Sequence, residues 1–505
     1  MMTADPRRWW ALGALAVALL AFGLDVTILN VALPTLATDL HASTTQLQWF
    51  SNAYTLVLAA GLLPAGLLGD RFGQKRLLLG ALALFGLASL ACAYADSAAQ
   101  LIAARAVLGL GAALLVPLSM SLLTVLFSPA ERGRAIAVWS TAMAVGIPLG
   151  PVLGGWLLDH YWWGSVFLIN VPLVAIGILA LALLLPATPG KRGPRFDLPG
   201  TLLSSTGLVA LTYGLVEAGE RGWGSAAALA PIAAGVVLLG AFVGWLRRAA
   251  RPLVDLGLFA SPGFAWGSVL ATIASFGMMG AMFLLPQYFQ AVGGTDALGT
   301  GLRLLPIVGG LLVGVQIVQK FTLKLGAKVN VAFGFALIAA GLALGAATDV
   351  ADGYGFTAIW ASLIGLGLGW AMPLAMDVAM GALRTGHSGV GSALLQALRQ
   401  VGGTLGVAIL GTVLNAAYRD GVDVTGLPAP AADAVRDSAA AGARVAGTTH
   451  TPGLLDSVRG AFVDGMGAAL WVCAGFAVVG VLLAVAFLPR VAEDRSESEH
   501  VSVAG

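Results

Sequence analysis

The sequence predicts an all-α integral membrane protein with fourteen transmembrane helices, two six-helix bundles plus two additional helices between them. Three observations carry that prediction. The chain is broken into apolar runs of membrane-spanning length, its Arg and Lys residues are distributed to one side, and an internal repeat recurs at an offset of 256 residues.

Of 505 residues, 58% are hydrophobic and 10% charged, against roughly 25% charged in soluble domains. Such a chain has too few polar side chains to cover itself in water. Runs of about twenty apolar residues match a hydrocarbon core of roughly 30 Å. Spans are expected at 9–32, 46–69, 77–95, 100–127, 134–158, 164–186, 199–219, 226–247, 263–290, 301–319, 329–348, 354–379, 389–417 and 462–488. Most connections are short, so consecutive helices run antiparallel. The exception is 418–461, rich in Ala, Asp and Gly, with two weakly amphipathic stretches. Arg7 and Arg8 before the first apolar run imitate a signal peptide. Asp25, Asn30 and Pro34 occupy the place of a cleavage region, so an uncleaved first helix is expected.

Net charge is +2, which leaves no basic surface for nucleic acid. Cys92 and Cys473 lie in apolar runs, with neither a disulfide framework nor metal-ligand spacing. No metal or cofactor is expected. Nineteen of the 27 Lys and Arg residues, from Arg7 and Arg8 through Lys75 and Arg132 to Arg495, fall on one side of the predicted helices. Arg221, Arg419, Arg436, Arg444 and Arg459 fall on the other, and Arg105, Arg303 and Arg399 sit at membrane depth. Positive loops stay inside, so both termini are expected in the cytoplasm. Arg greatly outnumbers Lys and Ala and Gly abound, which hints at a GC-rich bacterial genome and hence a bacterial cytoplasmic membrane.

The repeat aligns 107–120 with 363–376 without gaps: Gly109, Gly111, Pro117, Leu118 and Met120 fall on Gly365, Gly367, Pro373, Leu374 and Met376. The same register carries Gly146, Gly150 and Gly155 onto Gly402, Gly406 and Gly411. Helices 4 and 5 therefore correspond to helices 12 and 13. That shift implies a bundle at 9–186, a two-helix insertion at 187–262, a bundle at 263–488 containing the loop 418–461, and a tail at 489–505.

Four segments carry chemistry. After helix 2 the chain reads Gly66-Leu-Leu-Gly-Asp-Arg-Phe-Gly-Gln-Lys-Arg-Leu-Leu78. Gly66 and Gly69 permit close helix contact, Gly73 a turn that a side chain hinders, and Asp70 a state-dependent ion contact beside Arg71 and Lys75. Helix 1 holds Asp25 in Leu24-Asp-Val-Thr-Ile-Leu-Asn30. An acid in hydrocarbon costs on the order of 2.5–3.5 kcal/mol on insertion scales, so it either faces a polar cavity or is fixed in a buried hydrogen bond. Burial favours its neutral form, which suits a group that takes up and releases protons. Arg105 in helix 4 has no counterpart in the repeat, where Ala361 stands. It is either a fixed cation answering an acid or a snorkelling side chain near a helix end. Helix 5 contains Gly146, Gly150, Pro151, Gly154 and Gly155, a flat stripe with a bend.

These segments together resemble the signatures of the major facilitator superfamily, within it the fourteen-helix drug:proton antiporters. The resemblance extends through Gln46–Tyr54, Phe167–Pro172, Gly301–Pro306 and Leu398–Gly403. It implies the major facilitator fold, Asp25 and Arg105 in proton coupling, an inner gate around Asp70, and an antiport motif at Gly146–Gly155. Gln74 replaces a basic residue of the gate pattern, and Tyr161-Trp-Trp-Gly164 replaces a Trp-Arg-Trp. Some members that export dications carry a second acid in helix 10. Here Arg303 is that helix's only charge, so Arg303 and Arg399 favour neutral, zwitterionic or anionic compounds if either faces the cavity. Asn30, Trp49, Asn52, Met278, Met282, Gln287, Arg399 and Gln400 are candidate cavity residues, with Met and aromatic side chains suited to an adaptable pocket.

The function expected is proton-coupled efflux of small amphipathic drugs or antibiotics by a monomer in the lipid bilayer, driven by the proton gradient. The alternative is a major facilitator carrier for a lipid, amino acid or peptide, without strict proton coupling. A proton-translocating enzyme subunit would need a Lys/Glu series at the midplane, which is absent, and an ATP-driven pump a P-loop, also absent. Enzyme activity is not expected.

Overall fold

The computed structural model describes residues 7–42, 44–185, 197–249, 254–383, 388–449 and 451–489. The basic segment 191–195, Arg384 and the tail beyond Pro489 lie outside the described residues. Among the described residues, fourteen helices are long and apolar enough to cross a membrane. They are α1 (Arg7–Asp39), α2 (Thr44–Phe72), α3 (Gln74–Ala93), α4 (Ala98–Leu126), α5 (Pro129–His160), α6 (Ser165–Leu184) and α7 (Leu198–Arg221). Next come α8 (Ala226–Arg248), α9 (Pro262–Ala291), α10 (Leu298–Val318), α11 (Leu325–Ala346), α12 (Tyr354–Gly381), α13 (Ser388–Gly421) and α14 (Leu454–Phe487).

The helices begin and end where local chemistry dictates. Ser97, Asp197, Ser225 and Asp296 cap α4, α7, α8 and the first turn of α10, each accepting from a backbone N–H three residues on. Gly73 at φ 91° and Gly326 at φ 73° occupy the left-handed region; Gly73 separates α2 from α3, and Gly326, in the first turn of α11, kinks the helical run that continues from α10. Several helices outrun the apolar segments that predicted them. The expected 462–488 is the apolar part of a helix that starts at Leu454. Hydropathy marks only the length inside hydrocarbon, and a helix continues into water as readily as its backbone allows. The segment between α13 and α14 forms two short helices, Ala429–Asp437 and Ala439–Thr449, tied down by Tyr418 Oη donating to the Val435 carbonyl at 2.8 Å.

Helices α1–α6 pack against one another, and so do α9–α14. Glycines at repeat-related positions hold equivalent neighbours. In α4, Gly109 lies on the Tyr54 backbone of α2 and Gly111 on Phe85 of α3; in α12, Gly365 lies on Ile307 of α10 and Gly367 on Gly334 of α11. Gly146 of α5 likewise meets Gly23 of α1, as Gly402 of α13 meets Thr272 of α9.

The two groups meet along α2–α13 and along α5 with α10 and α12. On the face where the chain begins, Ser121 Oγ of α4 donates to Ser388 Oγ at 3.1 Å, and Ser392 Oγ donates to the Pro117 carbonyl at 2.9 Å. The extra pair sits at one seam. α7 packs on both α2 and α13; its Ser205 Oγ donates to the Ala60 carbonyl (2.7 Å), and Trp223 Nε1, in the turn just past its end, donates to Thr412 Oγ1 (2.9 Å). α8 packs on α7 and is the least buried of the fourteen.

Candidate functional site

Asp25 and Arg105 form one buried ion pair. Their side chains are 0% and 2% exposed, and Arg105 Nη1 donates to both carboxylate oxygens, at 3.0 and 2.8 Å. The guanidinium is held from several sides. Its Nε donates to the Phe50 carbonyl of α2 at 2.9 Å, the Tyr54 ring faces it at 4.4 Å, and the Phe167 ring of α6 at 6.0 Å. Asn170 of α6, also fully buried, donates to Ser89 Oγ of α3. The arginine therefore does not snorkel. Segments noticed separately in α1, α2, α4 and α6 converge on one guanidinium.

The glycine stripe of α5 packs on the turn of α1 that carries this acid. A Cβ on Gly146 would stand 2.7 Å from Gly23 Cα, one on Gly154 would stand 2.8 Å from the Ile28 side chain, and one on Gly150 would strike the Thr27 hydroxyl. Asp25 lies between Gly23 and Thr27, so the stripe sets the distance of the acid's backbone from α5. Pro151 and Gly155 continue the same helix.

A cavity of about 320 Å³ lies between the two groups of helices. Phe22, Gly23 and Val26 of α1 line it, and Tyr54 puts one aromatic ring between it and Arg105. Met278, Met279, Leu311 and Met372 make much of the opposite wall, while Arg399, Gln400, Gln396 and Ser275 supply polar groups. Val216 of α7 also reaches it.

On the face where the chain begins, Gly66 touches the facing half: a Cβ there would stand 2.7 Å from Ala393 Cβ and strike the Gly389 carbonyl. Lys75 instead serves its own half, donating to the Ala182 carbonyl at 2.8 Å and to that of Leu185, at the end of α6. Arg71 is exposed and lies over the Phe72 ring. Gln74 is buried and donates to Ser121 Oγ at 2.6 Å, and Ser121 in turn bonds Ser388. The side chains of Asp70 and Asn30 lie outside the described part of the structure.

The family model described as Major Facilitator Superfamily matches residues 15–407. The chain belongs to the Major Facilitator Superfamily. The tetracenomycin C resistance and export protein of Streptomyces glaucescens is 35% identical over 500 residues, covering 96% of this chain and 92% of that protein. The multidrug efflux pump LfrA of Mycolicibacterium smegmatis is 38% identical over 501 residues, covering 94% of this chain and 96% of its own. Within the superfamily the chain thus stands with antibiotic and multidrug exporters of the drug:proton antiporter type. Among solved structures, the proton:xylose symporter XylE superposes with a TM-score of 0.63 at 14% identity, over 95% of this chain and 96% of that one. That likeness is one of fold.

In this major facilitator chain the candidate cavity residues divide. Met278, Arg399 and Gln400 line the cavity. Trp49, Asn52, Met282 and Gln287 do not, and each has a physical reason. Trp49 lies more than a turn before Tyr54 on α2 and is 38% exposed, and Asn52, two residues before Tyr54, is turned about 200° from it around the helix. Met282 packs into the apolar core one turn past Met278, and Gln287 returns its Nε2 to the Phe283 carbonyl of its own helix at 2.9 Å. Arg303 also lies away from the cavity, over Phe289 and Tyr354 at 5.9 and 5.6 Å. Sequence reasoning missed Gln396, Ser275 and Trp139. Gln396 stands three residues before Arg399, the spacing of helix neighbours, so its pairing was readable. Ser275 and Trp139 become partners only through tertiary packing.

Proposed function

We propose that the protein exports small amphipathic molecules across the bacterial cytoplasmic membrane in exchange for protons, by alternating access of the central cavity. The observation that carries this reading is the Asp25–Arg105 pair, fully buried and one Tyr54 ring from the cavity. Ionised Asp25 neutralises the guanidinium, and protonated Asp25 frees it. The proton site therefore has two charge states with different demands on Tyr54 and on α1, and α1 packs through Gly23 and Ile28 on the glycine stripe of α5. Protonation can thus bias two packings of the halves, as alternating access requires. Export as the direction draws on the antibiotic and multidrug exporters among the relatives. The basic face, with both termini, is the cytoplasmic one, and the cargo-carrying unit is a monomer with its division at 9–186, 187–262 and 263–488.

The test is a drug-susceptibility panel in an efflux-deficient host, paired with proteoliposomes under an imposed proton gradient. Wild type should lower susceptibility to at least one compound, and the gradient should drive that compound across the membrane. Gradient-driven transport by Asp25→Asn equal to wild type would remove Asp25 from the coupling.

A further inference from the structure

Arg399 is the second buried arginine of the transmembrane core, and it is unlike the first. Its side chain is 9% exposed and lines the cavity. Nε donates to Ser275 Oγ at 3.0 Å and Nη1 to Gln396 Oε1 at 2.8 Å, both neutral acceptors, and the guanidinium stands 6.0 Å from the Trp139 ring. Ion pairs among the described residues include Arg8–Glu131, Arg105–Asp25 and Arg221–Glu217, and none involves Arg399. Arg399 therefore carries a full positive charge at the wall of a largely apolar cavity with no carboxylate against it. Beside it, Gln396 is 5% exposed and its Nε2 makes no hydrogen bond. A guanidinium offers five N–H donors in a planar fork, and two of them are used among the described residues.

A buried charge is strongly disfavoured unless an opposite charge and hydrogen bonds compensate it. Among the described residues none supplies such a charge here, so the site is completed by something that enters the cavity. We infer that Arg399, with Gln396 Nε2 beside it, is the anion-binding subsite of the cavity, and that the preferred cargo is an amphipathic molecule bearing a carboxylate or a similar two-oxygen anion. The planar fork matches such a group in two parallel bonds. Met278, Met279, Leu311 and Met372 receive the apolar body, thioethers adapting to varied shapes. A dication would meet an uncompensated like charge. This deepens the export reading but rests on it only for the direction of transport.

The test measures equilibrium binding to the full-length protein in nanodiscs of neutral lipid, read by tryptophan fluorescence. The probes are pyrenebutyrate, its uncharged amide and the corresponding trimethylammonium cation. Wild type should bind the carboxylate at least about tenfold more tightly than the amide, the worth of one charge-assisted hydrogen bond, and the cation most weakly. Arg399→Gln should erase that preference while binding of the amide changes less than about twofold, and Arg399→Lys should retain part of it because the charge stays and the fork is lost. Arg399→Gln should also melt no lower than wild type, because it removes an uncompensated buried charge. Chloride should not compete at millimolar concentration; competition would make this a small-ion site and overturn the cargo assignment. Equal binding of carboxylate and amide by wild type, binding of none of the three, or a preference that survives Arg399→Gln would each overturn the inference. Arg399-dependent anion binding without gradient-driven transport would leave it standing and count against the export reading alone.

Discussion

Asp25 and Arg105 show how two side chains unwelcome in hydrocarbon become tolerable together. Each is buried, and each satisfies the other through one nitrogen spanning two oxygens. Removing one partner of a buried pair typically costs about 3–5 kcal/mol, because the other charge is stranded, whereas removing both is close to neutral. Arg105→Gln should therefore lower the melting temperature in detergent more than the double variant Asp25→Asn/Arg105→Gln. The double variant should regain stability without regaining proton-driven transport. If the single and double variants melt alike, the pair does not hold the fold as described. Asp25→Asn alone should reduce gradient-driven transport by more than about tenfold, roughly 1.4 kcal/mol of lost driving-force coupling, with cargo exchange in the absence of a gradient retained. Loss of both activities together would point to collapse of the cavity and not to coupling.

Helices α1 and α5 meet backbone to backbone, and the glycines of both make this possible. Gly150→Val places a branched side chain against Thr27 and Ile28, and overpacking of this kind costs typically about 1–3 kcal/mol. The expected result is a folded but less stable protein with transport lost, because the α1 segment bearing Asp25 is displaced. Gly80→Ala is the matched control, since nothing lies within 4 Å of a Cβ there, and it should transport as wild type. Equal activity in the two variants would show that the α1–α5 spacing does not matter. The element scale is where the sequence is most informative. Apolar run length and glycine spacing are local quantities, so the helices and the tight interfaces could be read directly. Helix ends could not, because hydropathy stops at the membrane surface while α5, α13 and α14 continue past it.

At the scale of the molecule, two halves meet around one cavity and must separate on each side in turn. Ser121 and Ser388 face each other across the halves, Oγ to Oγ at 3.1 Å. Ser121→Cys/Ser388→Cys should cross-link under mild oxidation, arrest transport, and recover it on reduction. The native Cys92 and Cys473 are buried and unpaired. Full transport by the cross-linked protein would mean that this face need not open. The partnership of Asp25 with Arg105 was foreseeable, since a membrane-buried acid needs an answering cation and few were available at that depth. The wall of the cavity was less so. Met278 and Met282 look equivalent in sequence, yet a single helical turn separates a lining residue from a core residue. Gln74 looks like a departure from a pattern, yet its amide joins Ser121 and Ser388 in a chain of hydrogen bonds between the halves. Such assignments depend on which residues tertiary packing brings opposite, and one sequence does not specify that locally.

The seating of α7 has a consequence for what the surrounding lipid meets. On one flank the contact line of the halves is roofed by a third helix, hydrogen-bonded to Ala60 on one half and, through Trp223 just past its end, to Thr412 on the other, with Val216 reaching through to the cavity. On the opposite flank α5 and α10 touch each other directly. The molecule is thus lopsided in the plane of the bilayer. A compound dissolved in the acyl chains and drifting in sideways finds a plugged crevice on one flank and a two-helix joint on the other. The plug is fastened to both moving bodies, so it must stretch, slide or let go of one of them whenever they part.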